Sequence, residues 1–305
     1  MAKLFFKNIS CPHCGQEYDP TFHRCPKCGN LNADPDAATF QNYLPLPLWK
    51  QLVYAGIGLF GLQILAFFAQ LIVLAGKVPS DPLGYLTSGE GLFAVYSIVY
   101  PALFLIMAIL TWKDWLSIGK SLASWKPYLA GLIGVAFMIG AGSLYNLIIQ
   151  AIFQAAGAPL PEVNGNQANV ISMVLANPIA CVFIIGFLGP FSEELAYRAG
   201  LFGFASRLGK KWGYVIGIVV FAFIHFDVTA LGSSSAFLAE AIALPTYLGS
   251  AAILCFLYDR FGFGASYTAH VLNNLISILE IIVVYGGSKG TSLFVKRRKS
   301  SMNLC

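Results

Sequence analysis

Charge is the scarcest property of this sequence: Asp, Glu, Lys and Arg make up 11% of the 305 residues, against 57% hydrophobic. A soluble domain carries about a quarter charged residues, so lipid is the expected solvent. The chain opens without a basic start and an apolar run; no signal peptide is expected, and the first spanning helix does the targeting. No internal repeat is visible, which weighs against the repeated halves of a transporter. Residues 154–169 hold no Lys or Arg. The net charge of +5 does not mark a nucleic-acid binder, because Lys296, Arg297, Arg298 and Lys299 cluster after the last apolar stretch. Positive charge flanking a span is normal for membrane proteins.

What is present are long uncharged runs, and about 20 apolar residues suffice to cross a hydrocarbon core. Residues 49–76, 91–112, 127–153, 170–189, 213–226, 236–258 and 263–285 read as spanning helices. Residues 191–208 are apolar except for Glu193, Glu194, Arg198 and Arg207. They are either an eighth crossing or the tail of a kinked fourth helix broken at Gly189 and Pro190. The expected fold class is therefore an all-α polytopic membrane protein of seven or eight transmembrane helices plus a small N-terminal module. The module ends near residue 30, a polar linker covers 31–48, the membrane body 49–286 and a basic tail 287–305. Lys113, Lys120 and Lys126 between the second and third spans put the N-terminus in the cytoplasm, with the cell membrane the expected location. The two helix counts place the basic tail on opposite sides.

Cys11 and Cys14 form one CxxC knuckle, Cys25 and Cys28 a second, each followed by Gly. Four thiolates at this spacing meet one tetrahedral Zn²⁺. So few apolar residues can hardly fold the module without metal. Two disulfides are the alternative, but they require an oxidising compartment. A closed four-thiolate site points to a structural or partner-binding role, with a cytosolic protein as candidate partner. Cys181 and Cys255 share no such spacing and read as small apolar filler.

Ionisable groups in apolar helices are costly and mark function by default. Arg198 lies one helical turn beyond Glu194 and can pair with it; Glu193 sits about 100° round the helix, so Arg198 cannot neutralise both equally well and one carboxylate stays available. The bland reading is an acid pair at a helix start. Phe221 and His225 share a face of one apolar helix, and His270 and Asn274 a face of another. Either His–helix set alone is more often a packing device. Depth joins them: measured from a hinge at Lys210 and Lys211, Glu193 lies about 25 Å and His225 about 21 Å along their helices. His270 and Asn274 lie roughly 15 and 21 Å from Arg260. One pocket can then hold an acid, two imidazoles and an amide, which suits amide hydrolysis. Either Glu193, His225 and His270 hold a catalytic divalent metal, or Glu193 and His225 activate water directly while His270 and Asn274 stabilise the oxyanion.

The ordered set EExxxR, FxxxH and HxxxN on successive apolar helices resembles the CPBP (CAAX-protease and bacteriocin-processing) family of intramembrane proteases, over about residues 169–285. The resemblance implies a metalloendopeptidase with Glu193 as water activator, Glu194 and Arg198 as its structural pair, and His225, His270 and Asn274 completing the site. It implies as substrate a membrane-tethered or lipidated peptide, CAAX-type or bacteriocin-related. The zinc ribbon lies outside the family pattern. The rival reading is a non-catalytic membrane scaffold or sensor, with a partner-binding ribbon and a polar cluster that only specifies helix packing.

Overall fold

A computed structural model describes residues 7–77 and 79–286. The basic cluster Lys296 to Lys299 lies outside them. The N-terminal module is built on a two-stranded antiparallel hairpin, β1 (Ile9–Ser10) and β2 (Glu17–Tyr18), with Ile9 opposite Tyr18. Gly15 and Gly29, each directly after a CxxC pair, take φ of 70° and 75°. Nothing crowds either position, so backbone conformation alone demands glycine there. Each glycine N–H donates to the carbonyl of the first Cys of its knuckle, closing the turn.

The body is helical. Its elements are α1 (Leu48–Lys77), α2 (Pro82–Leu86), α3 (Gly89–Leu110), α4 (Trp115–Leu122), α5 (Trp125–Ala155), α6 (Gly165–Ala176), α7 (Pro178–Ser206), α8 (Lys210–Phe223), α9 (Ser234–Phe261) and α10 (Phe263–Tyr285). Among the described residues six of these, α1, α3, α5, α7, α9 and α10, are long and apolar enough to cross a membrane. With α8, apolar but only 14 residues long, the described residues hold six spans and one shorter apolar helix, roughly the seven or eight expected. Apolar side chains face outward along the spans, as lipid-facing helices require; Phe60, Ile64, Phe137 and Val283 are all well exposed.

The structure differs from the expectation around residues 170–208. The break falls at Asn177, whose side chain accepts from the Ala180 N–H at 3.1 Å and caps a helix with Pro178 in its first turn. Gly189 and Pro190, expected to be the break, lie inside α7. Pro190 has no N–H to give, but Ile184–Leu188, separated from it only by Gly189, is wound as a π-helix, and that wider turn accommodates the proline without ending the helix. Residues 191–208 are therefore no separate crossing. Lys210 and Lys211 start α8 on the face that carries the module, and Tyr285 ends α10 on the opposite face.

The module is bound into the body. Arg207, 1% exposed at the end of α7, donates from Nη2 to both Asp19 carboxylate oxygens at 3.0 Å and to the Leu46 carbonyl, and its Nε donates to Gln51 Oε1. Tyr43 of the linker donates to Asp259 at 3.0 Å, and Asn42 to the Asp259 carbonyl at 2.9 Å. Along the same helix α7, Gly200 meets α1 so closely that a Cβ there would lie 2.7 Å from the Ala55 nitrogen and 2.9 Å from Tyr54 Cβ. Gly200→Ala is expected to force backbones apart and destabilise the body by about 1–3 kcal/mol. A thermal midpoint equal to native in detergent would contradict this packing.

Candidate active site

Three helices supply the polar groups. On α7, residues Glu194–Phe202 form a nine-residue π-helix, a winding that is rare and usually confined to single turns at functional sites. Within it Arg198 Nε lies 3.4 Å from Glu194 Oε2, both side chains fully buried. The Arg198 guanidinium lies 3.9 Å from the Phe221 ring centroid of α8, a cation–π contact that helps hold the charge in an apolar setting. Glu194 Oε1 accepts from His270 Nδ1 at 2.8 Å. A carboxylate oxygen can only accept, so Nδ1 carries the proton and His270 Nε2 faces Glu193, at 3.7 Å from Oε2. His270 thus stands between two carboxylates.

His225 lies just past the end of α8. Its Nδ1 donates to the Phe221 carbonyl at 2.8 Å, which leaves Nε2 with a lone pair in the neutral ring. The imidazole stacks on Tyr247 of α9, with centroids 4.8 Å apart and planes at 19°. Asn274 donates one amide N–H to the Ile185 carbonyl at 3.0 Å, tying α10 to the π-wound part of α7, and keeps a second N–H.

Glu193, His225, His270 and Asn274 line one cavity of about 350 Å³. A neighbouring cavity of about 170 Å³, walled by Ile57, Leu62, Tyr96 and Met173, also opens on Glu193 and His225. Exposure separates the acid pair: the Glu193 side chain is 17% exposed and Glu194 0%, so only Glu193 meets the cavities. Glu194 and Arg198 stand behind, orienting His270.

Tyr247, Tyr100 and Asn166 also reach the cavity walls, and sequence reasoning missed all three. Uncharged residues in or beside apolar helices carry no burial penalty large enough to single them out. The cluster Asn164, Asn166, Gln167 and Asn169 around the start of α6 was the available signal; Asn164 and Asn166 donate to the Tyr247 hydroxyl at 3.2 and 3.1 Å.

The four module cysteines could hold a metal ion. Their sulfurs all lie within 4.8 Å of one another, with Cys11–Cys28 and Cys14–Cys25 at 3.6 Å, close to the edge of about 3.8 Å that a tetrahedron with 2.3 Å metal–sulfur bonds requires. Burial opposes a Cys25 thiolate, but hydrogen bonds from the backbone N–H groups of Cys28 and Lys27 and from the Cys14 and Cys28 thiols bring it down to about 7, while burial and the neighbouring thiols push Cys28 the other way. Among the described residues no other group of three or more such donors closes on one point. Glu193, His225 and His270, expected as possible ligands of a catalytic metal, are not gathered in that way.

Fold and site together define a helical integral membrane protein whose buried acid–imidazole cluster opens on internal cavities. Residues 175–276 match the family model of the type II CAAX prenyl endopeptidase Rce1-like proteins, a protease family, and this bears out the CPBP resemblance. The match takes in every residue of the cluster and leaves out the Cys module and the first three spans. Among curated proteins and among solved structures, nothing matches the chain.

Proposed function

We propose that this protein is an intramembrane endopeptidase that hydrolyses a peptide bond in a membrane-tethered protein or peptide with water activated by Glu193. One observation carries the reading: Glu193 is the member of the acid pair that reaches both cavities, and His270, fixed by Glu194, is set against it at 3.7 Å. A water held by Glu193 and by the His225 Nε2 lone pair has both hydrogens engaged and its oxygen lone pair free for the carbonyl carbon. Glu193 takes one proton as the C–O bond forms. The remaining Asn274 N–H meets the oxyanion. The proton then passes from Glu193, directly or through His270 Nε2, to the leaving nitrogen as the C–N bond breaks.

The family's description supports a lipidated peptide as substrate. Gathering of lysines on the module face supports a cytoplasmic N-terminus in the cell membrane, where a reducing environment favours zinc in the four-thiolate site and a cytosolic partner can reach the module. Comparative proteomics of membrane fractions from cells carrying native protein or Glu193→Gln tests the reading. An uncleaved membrane protein should accumulate with the variant; identical cleavage patterns would overturn the assignment.

The metal makes a separate prediction. Purified protein should carry about one equivalent of zinc, and Cys25→Ser should lose it. Without it Asp19 loses its fixed position against Arg207, and limited proteolysis should cut within residues 7–46. Metal content unchanged in Cys25→Ser would remove the thiolates as ligands.

A further inference from the structure

All five tryptophans of the chain, Trp49, Trp112, Trp115, Trp125 and Trp212, are exposed and sit at helix ends on the module face. Lys50, Lys113 and Lys211 lie over the rings of Trp49, Trp112 and Trp212 at 5.8, 5.2 and 5.9 Å. Tryptophan gathers at headgroup depth because its ring is apolar and its N–H is not. This belt therefore marks where lipid meets water.

A cleft of about 660 Å³ opens at that level, between the Cys module, the linker, α4, the start of α5 and the turn from α9 to α10. Its polar wall is made by Arg24 of the module, Gln41 of the linker, Ser117, Lys120 and Ser121 of α4, and Ser124 before α5; no Asp or Glu lines it. Lys120 makes no ion pair among the described residues, and Arg24 gives only one N–H away, to the Gly29 carbonyl. The Asp259 carboxylate beneath the linker is already held by Tyr43, Tyr214 and Lys210. Two cations and a set of hydroxyl and amide donors, unopposed by any acid in the wall, suit a phosphate.

We propose that this cleft binds the phosphate-bearing headgroup of an anionic lipid. Its depth selects the source: a headgroup is already at the tryptophan belt, with its acyl chains directed along the exposed apolar faces of α4 and α5, where Leu116 and Leu129 are exposed. A net-neutral headgroup would leave the two cations without net compensation. The bound lipid would link the module to the membrane body, and this holds whether or not the body is a peptidase.

The test is a titration of the full-length protein in detergent with short-chain phosphatidylglycerol, read by the thermal midpoint, beside phosphatidylcholine and inorganic phosphate. Phosphatidylglycerol should raise the midpoint saturably, and Arg24→Gln with Lys120→Gln should weaken binding about thirtyfold, roughly fivefold per charge. Lys113→Gln, in the same belt but outside the cleft, should bind as native does. An unchanged affinity in the double variant, an equal loss in Lys113→Gln, or an equal response to phosphatidylcholine would overturn the proposal. Inorganic phosphate reproducing the full response would overturn the lipid assignment in favour of a soluble anion.

Discussion

Glu193→Gln should lower peptide hydrolysis by about 10²–10⁴-fold, the usual share of a positioned general base. The amide keeps the size of the side chain and its place against the cavity but cannot take a proton from water. Because Glu193 is partly exposed and makes no ion pair with Arg198, the substitution should leave expression and thermal stability near native. That separation of activity from stability distinguishes an enzyme from a scaffold, in which the polar cluster serves only packing. A scaffold would retain its cellular function with Glu193→Gln, and retention of cleavage would remove Glu193 from the chemistry.

Arg198→Ala should act in the opposite way, through stability first. Glu194 is fully buried, and Arg198 is the fixed positive charge beside it. Removing one partner of a buried pair leaves an uncompensated charge and destabilises by about 3–5 kcal/mol. Loss of the guanidinium from the Phe221 ring adds to this. The double variant Arg198→Ala with Glu194→Gln removes the stranded charge and should recover part of the stability, though not His270 orientation or full activity. If the single variant melts within a degree of native, or the double variant is no better, the pair is not what holds this part of α7.

Much of this was legible in the sequence because lipid makes the rules strict. Charge-free runs of about 20 residues have few uses besides crossing a bilayer, and a buried acid or imidazole is costly enough to be conspicuous. Glu193, Glu194, Arg198, His225 and His270 therefore stood out, and Asn274 was picked up from its place one turn after His270. The CxxC knuckles were equally plain, since spacing alone brings four sulfurs together. The path of α7 was not legible. Whether Pro190 breaks a helix depends on whether a π turn precedes it, and that winding is settled by how α7 packs against its neighbours. Tyr247, Tyr100 and Asn166 were hidden for a related reason: their part in the cavity walls comes from helices far apart in the chain.

The sequence by itself determined the solvent, the helical class, the thiolate cluster and which ionisable residues stand in apolar helices, because each follows from local composition or short spacing. Only the tertiary structure decided which glutamate meets the cavity. Glu193 and Glu194 are chemical twins in adjacent positions; the closure of α8 and α10 around α7 buries one against Arg198 and His270 and leaves the other facing open space. The same packing decided that the Cys module is held through Asp19 to Arg207 at the end of the helix that carries both acids. No local pattern encodes a contact between residues so far apart along the chain.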